Sequence, residues 1–500
     1  MKYLLNIGIT IFMICLIFII CHFIISKYQI EEKYDNPRIS TIHTIYELLS
    51  KKSPYFDIHR ERVNNKIDSI IKLFESREYI EQDELLINIR HILSELGDRH
   101  ASIEKITPEQ EEEQYYLPFS LAPWIDNQVI ALRQLPKLNY SFYLENYPLL
   151  SEIQDENINT FILRHDILNK YAPKRARLSL GVEKMNEFYQ VKDGLKIGDS
   201  IKLKFLSKNR KKDTLIYSQL VNFKTKWREI NKHLFPYEKT KKSYSTLQRS
   251  YEDGIAYLRL PKMYNKSENE LFFQWLTEYM NSIQDATALI IDIRNNSGGS
   301  RDIINFFSNY FIKPNDIFVA NMAKYKGKVT NLIRENLNKR NLYPLDHFSR
   351  QTQNIILQER PIKLRDNNFF ENANYSSFHY MVLKNNEHFN NYYFFDKPVY
   401  FMINELTFSA ASVFASSFKN LENITLAGVN SDGSSGLAQS YELSGLRLKF
   451  SHMLSFQKNG NLFDGIGTDP DIEINRSIDQ IFGIDDYQLD VLLTEIKKQN

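Results

Sequence analysis

Ala288-Leu-Ile-Ile-Asp-Ile-Arg-Asn-Asn-Ser-Gly-Gly-Ser300 decides how the second half of the chain is read. Its apolar run has the length and bulk of a buried strand. The polar segment that follows ends in the pair Gly298-Gly299. Paired glycines let the backbone turn sharply and leave amides exposed. Exposed amides at such a turn can stabilise a developing oxyanion. The plainer alternative is a strand-to-helix turn with Asp292 and Arg294 as a structural ion pair.

Strands of the same kind stand at Ile255–Leu260 and Val399–Ile403, and helical segments separate them from Gly254 onward. Strand–helix alternation predicts an α/β layer structure. Residues 323–395 are polar, aromatic and low in pattern, and read as an insertion. Upstream, residues 30–115 read as helical: Ile67–Phe74 and Leu85–Leu93 repeat apolar residues at three- and four-residue spacing, and Leu96-Gly97-Asp98 is a glycine-type stop. Residues 116–225 change to short alternating runs, such as Gln128–Arg133 and Ser200–Leu206, with polar turns such as Lys192-Asp193-Gly194 between them. Lys208–Lys212 reads as a solvated hairpin tip. Residues 226–253 read as a linker or surface helix, 254–480 as the α/β domain, and 481–500 as a carboxy-terminal helix.

The chain has 500 residues, 43% hydrophobic and 25% charged, with a net charge of +2. That balance gives no pointer to nucleic acid or to a strongly charged partner. Its two cysteines, Cys15 and Cys21, both fall in the first apolar stretch. No disulfide framework, thiolate zinc site or cysteine nucleophile is therefore expected further on. Tyr3–Ser26 carries no charge apart from His22 and is flanked by Lys2 and Lys27. It is long enough to cross a bilayer. Residues 1–29 accordingly read as an uncleaved anchor with the bulk exported, a cleaved signal or a lipid-bearing Cys21 being the alternatives.

Two further stretches could carry chemistry. Asn404-Glu-Leu-Thr-Phe-Ser-Ala-Ala-Ser-Val-Phe-Ala415 follows the Val399–Ile403 strand and opens a helix of small residues. A serine at such a junction exposes its hydroxyl, and the next amide, of Ala410, lies at the helix amino terminus where it can donate to an oxyanion. Alternatively Thr407 or Ser409 caps the helix. Leu96-Gly-Asp-Arg-His-Ala-Ser-Ile103 places His100 in a polar loop just past a helix. It could act as general base to a serine, or be an ordinary loop histidine.

Taken together, the three stretches resemble the tail-specific (carboxy-terminal processing) and tricorn-core serine peptidases. Asp292, Arg294, Asn296, Gly298 and Gly299 match the family's Asp-x-Arg-x-Asn-x-Gly-Gly motif. Thr407, Ser409 and Ala410 match its Thr-x-Ser-Ala nucleophile motif. Gly465-Ile466 and Pro470-Asp471 resemble its Gly-Ile/Val-x-x-Pro-Asp signature with one extra residue. The resemblance implies a ClpP/crotonase-like α/β core, a PDZ-like domain over 116–225, a peptide or protein substrate, and neither cofactor nor metal. It makes Ser409 the nucleophile, with the oxyanion held by Gly299 and Ala410, supported by Gly298. The tail-specific branch takes its base from a lysine about two dozen residues after the serine. Here Ser434 stands in that place. The tricorn-core branch instead uses a histidine in Asp-x-His-Thr, which Asp98-Arg99-His100-Ala101 resembles, and an acidic orienting residue, for which Asp464 is the match. Lys449 is the next candidate base. If no base reaches Ser409, the same fold would be a catalytically inactive binding protein.

Overall fold

The computed structural model describes residues 36–106, 116–185, 199–223, 225–229, 240–360, 374–385 and 392–499. The expected anchor and the Lys192–Gly194 turn lie outside the described residues. Among the described residues no helix is long and apolar enough to cross a membrane.

The fold is mixed α/β. Its central sheet sets Ile472–Glu473, Ile424–Gly428, Val399–Ile403, Ala288–Asp292, Ile255–Arg259 and Gln248–Ser250 side by side. All neighbours are parallel except the last pair. Every residue of the three middle strands is buried. Strands covered on both faces read as continuous apolar runs. Alternate residues divide between two cores. Leu289, Ile291 and Phe401 meet the Glu270–Ser282, Asp302–Phe311 and Ala410–Phe418 helices, while Ile290, Tyr400 and Met402 meet the Tyr487–Gln499 helix. Leu289 lies opposite Val399 and Asp292 opposite Met402. The two strands therefore end level, and the turns that leave them emerge together.

Three expectations need correction. Within 226–253, read as a linker or surface helix, the described ends are tied into the fold: Gln248–Ser250 joins the central sheet, and the buried Glu229 pairs with Arg476 at 2.5 Å. The described part of residues 323–395 belongs to a patterned unit, an antiparallel sheet of Tyr343–Pro344, His379–Lys384, Ile317–Tyr325 and Met453–Gln457. Its pattern is hidden because Lys324, Lys326 and His379, polar or charged by type, are buried in it. The strand-rich region after 116 also holds two helices, Ile158–His165 and Lys174–Met185. The second buries Ala176, Ser179 and Gly181 against its neighbours. Small residues make an apolar stripe too weak to read by period.

Other expectations hold. Helices span Pro37–Lys52, Arg60–Glu75 and Gln82–Leu96, and Gly97 ends the last at φ +70°. Ser207–Lys212 turns between the paired strands Ser200–Leu206 and Asp213–Gln219. After Gly97 the chain enters the strand Ser102–Lys105, which pairs antiparallel with Leu446–Ser451. That pairing carries residues 98–101 to the far half of the molecule.

Asp292 and Arg294 form the ion pair of the plainer reading. Asp292 lies 2.7 Å from Arg294 and 2.6 Å from Arg259, and Arg294 continues to Asp486 at 2.8 Å. The carboxyl of Asp292 is held well below the usual range; burial opposes this, and the two arginines and their hydrogen bonds outweigh it. Arg294→Ala leaves two carboxylates without their shared partner. It should cost about 3–5 kcal/mol of stability, read as a lower urea midpoint, whereas Arg447→Ala in an exposed pair should cost less than about 1 kcal/mol.

Candidate active site

Two turns face each other at the ends of the middle strands. The Phe408 amide donates to the Asn296 carbonyl at 2.9 Å. Gly298, at φ +95°, approaches so closely that a Cβ there would sit 2.7 Å from the Ser409 Cβ and 2.8 Å from the Ala410 nitrogen. Only glycine fits this contact. Asn296 braces the turn: it donates to the Leu260 carbonyl at 2.8 Å and accepts the Gly298 amide at 2.8 Å. This corrects the expected oxyanion role of Gly298, because its N–H is already taken. The Gly299 and Ala410 amides find no acceptor among the described residues, so they are the pair free to receive an oxyanion.

Ser409 sits just before the Ala410–Phe418 helix at φ +54°, ψ −126°, and its hydroxyl makes no capping bond. A non-glycine residue held in such a region is strained, and strain of this kind clusters at functional sites. Thr407 does not cap the helix either. It accepts from the Asn404 amide at 3.0 Å and donates to the Ile293 carbonyl at 3.1 Å. The geometry therefore fixes the turn and leaves the Ser409 hydroxyl uncommitted.

His100 reaches this place from the amino-terminal helices. Asp98 anchors its loop, accepting the His100 amide at 2.9 Å, the Ser451 amide at 2.6 Å and the Ser451 hydroxyl at 2.8 Å. The imidazole lies against Phe408, with ring centroids 5.2 Å apart. It is thus beside the residue that precedes Ser409, although no hydrogen bond joins the two side chains. In unliganded sites such bonds are often long and tighten only with substrate bound.

The imidazole is instead held from behind. Its Nδ1 is 2.7 Å from the Ser434 Oγ, which is 3.1 Å from Asp464 Oδ1. Tyr55 donates to Asp464 Oδ2 at 2.6 Å, and the Arg99 amide to Oδ1 at 3.2 Å. A serine hydroxyl has one proton. If it donates to the Asp464 carboxylate, it must accept from His100 Nδ1–H. That arrangement leaves Nε2 unprotonated and able to take a proton. Ser434 comes this close because Gly433, at φ +75°, lies against Gly467; a Cβ would sit 2.4 Å from the Gly467 Cα. Sequence reading placed Ser434 at the lysine position but gave it no role. Its replacement of a charged group was the available signal.

Burial dominates the electrostatics. It pushes His100 down to about 3, assisted by Arg340, Lys449 and Arg99, so the imidazole is neutral near pH 7. Burial pushes the Asp98 and Asp464 carboxyls up, and each Asp98 proton is favoured further by the neighbouring Asp464 charge. Asp98, His100 and Asp464 offer atoms within 4.8 Å of one another, close enough to share a cation. Their oxygens, however, already accept from the amides and hydroxyls named above. Arg99 pairs with Asp432 at 2.7 Å, fixing the loop from its other side. Lys449 stands exposed on the strand opposite Ser102 and makes no bond to Ser409. Asp471 ties strand edges, accepting the Leu426 amide at 2.8 Å.

Residues 254–474 match the model of peptidase family S41. No curated protein matches the chain by sequence. Among solved structures, mature CPAF in complex with lactacystin superposes with a TM-score of 0.62 at 13% identity, covering 93% of this chain and 99% of that one. The photosystem II D1 C-terminal processing protease (TM-score 0.40, 11% identity, 91% and 99% covered) and the tricorn protease (0.36, 13%, 93% and 37%) are also similar. At such identities the likeness to CPAF speaks for the fold alone.

Proposed function

We propose that this serine-type peptidase, whose residues 254–474 match the model of peptidase family S41, cleaves peptide bonds through an acyl-enzyme on Ser409. The observation that carries this reading is the uncommitted Ser409 hydroxyl, held in strained backbone between two free amides. In the proposed sequence Ser409 Oγ attacks the scissile carbonyl while His100 Nε2 takes its proton. The Gly299 and Ala410 amides receive the oxyanion, and the proton passes to the leaving amine. Water then enters, His100 removes its proton as the water oxygen bonds the acyl carbon, and that proton passes to Ser409 Oγ as the acyl group leaves as a carboxylic acid. Ser434 and Asp464 position the imidazole and contact no reacting atom.

Residues 116–225 we read as a PDZ-like peptide-binding domain beside a ClpP/crotonase-like core. The support is its antiparallel sheet with an outer strand, Asp213–Gln219, largely open to solvent, where an extended peptide could add. The apolar run at Tyr3–Ser26 supports a membrane-anchored, exported protein acting on exported substrates; release of the full chain by alkaline carbonate washing would refute that placement.

The direct test is labelling with a fluorophosphonate probe, which reacts only with an activated serine. Wild type should label at Ser409, identified by mass spectrometry of the modified peptide. Absence of labelling in folded protein would return the inactive binding-protein reading. The rate should also report the base. An ordinary histidine titrates near ~6.5, whereas burial pushes His100 down to about 3. The acid limb of the labelling rate should therefore lie well below pH 6.5, with reactivity retained at about pH 5. The same shift makes the fold acid-sensitive. The unfolded chain binds the His100 proton first, so this group's contribution is full above about pH 6.5 and is lost as pH falls through the folded value. Circular dichroism at each pH separates the two losses.

A further inference from the structure

A cavity of about 520 Å³ opens beside the candidate nucleophile, lined by Ser409, Ala410, Gly299, Ser435, Arg301 and Arg340 among others. Its charge is unusual. Among the described residues the buried Arg301 is held by neutral acceptors alone: the Asn321 amide oxygen at 3.0 Å, the Arg340 carbonyl at 3.1 Å, the Ser435 hydroxyl at 2.7 Å and the Met381 sulfur at 3.8 Å. The Arg340 guanidinium has no hydrogen bond or ion pair among the described residues. Burial pushes both groups below the usual arginine range, Arg301 further because Arg340 is near, and no carboxylate acts on either. Lys262 and Lys339 also border the cavity. Among the described residues the one carboxylate in its wall, Glu268, is exposed. Buried cations in folded proteins are normally paired. Three other arginines with buried guanidinium groups are paired with carboxylates: Arg294 has Asp292 and Asp486, Arg476 has Glu229 and Glu405, and Arg99 has Asp432.

We infer that this cavity binds a substrate carboxylate close to the scissile bond, with Arg340 as its principal partner and Arg301 behind it. A guanidinium presents forked donors that suit a carboxylate. Two sources carry that chemistry: an acidic side chain next to the cleaved bond, or the free carboxyl end of the substrate chain. The inference rests on the proposed role of Ser409, since the cavity is a substrate site only if that serine is the nucleophile.

Binding can be measured without turnover. A mixed peptide pool would be captured on the full-length Ser409→Ala protein and the retained peptides counted by mass spectrometry. The retained pool should be enriched in carboxylates by about tenfold, or about 1.4 kcal/mol. Enrichment that disappears when the pool is amidated at its carboxyl ends assigns the chain end; enrichment that survives assigns Asp or Glu side chains. Adding Arg340→Gln should remove the preference, and Arg340→Lys, which keeps the charge, should retain most of it, with thermal unfolding confirming that both fold. No enrichment, or the same enrichment in Arg340→Gln, overturns the inference. Fluorophosphonate labelling of wild type is read in parallel. Enrichment without labelling upholds the carboxylate site and rejects Ser409 as nucleophile; labelling without enrichment does the reverse.

Discussion

Ser409→Ala should abolish labelling and lower peptide hydrolysis by a factor of about 10,000 to 1,000,000 with almost no change in stability. The two halves of this expectation have different causes. The hydroxyl makes no capping bond and has no partner among the described residues, so removing it orphans none of them. Alanine keeps the Cβ and bears the same backbone strain as serine at φ +54°, and the packing of Gly298 against this residue is undisturbed. A cap residue would behave otherwise: its loss costs roughly 1 kcal/mol. Melting temperature thus separates the nucleophile from a capping serine. His100→Ala should lose a comparable factor, and the double variant should be no worse than either single one, because nucleophile and base act as a unit. Multiplying losses would place the base elsewhere. The exposed Lys449 would then be tested by Lys449→Met, for which no loss is expected.

The parts of this site differ in how they can be read from sequence. Asp292–Gly299 and Asn404–Ala415 each join a buried apolar strand to a turn, so local pattern is enough to place both at strand ends. Their meeting follows from parallel pairing of two neighbouring strands in level register. His100 is different. Its proximity to Phe408 depends on the Ser102–Lys105 strand pairing with Leu446–Ser451, a contact across more than half the chain that no local period encodes. Only family resemblance pointed to it. Ser434 depends on two glycine-bearing loops pressing together, and Arg340 on the turn after the Asn331–Asn338 helix, inside a segment whose buried polar residues hide its pattern. Asn296 and Gly298 show the opposite limit. Their motif was legible, but the hydrogen bond that removes Gly298 from the oxyanion pair was not.

Asp464→Asn should slow phosphonate labelling and hydrolysis by a factor on the order of 100 to 10,000, more than Ser434→Ala does, for a reason of proton placement. With aspartate, the Ser434 hydroxyl donates to the carboxylate and accepts from His100 Nδ1–H, which keeps Nε2 bare. The Tyr55 hydroxyl and Arg99 amide are donors too, so the site is built for an acceptor. An asparagine must put its NH2 somewhere in that ring of donors. Turned toward Ser434, it makes the hydroxyl donate to Nδ1 and moves the imidazole proton to Nε2, where it cannot receive one from Ser409. Turned toward Tyr55, it keeps an acceptor for Ser434 and the Arg99 amide, but the phenol must then reverse and accept where it donated. Inverting the tautomer behind a catalytic histidine costs about 10,000-fold in serine proteases. Ser434→Ala removes the link without inverting it, and a water could take its place, so about 10- to 100-fold is expected. Because the two side chains act in series, Ser434→Ala should add little to Asp464→Asn. Independent, multiplying losses would show that Asp464 serves only to hold Tyr55 and the Arg99 loop, and nitrogen NMR of the imidazole, with Nδ1 protonated in wild type and Nε2 in Asp464→Asn, would decide the same point without any turnover.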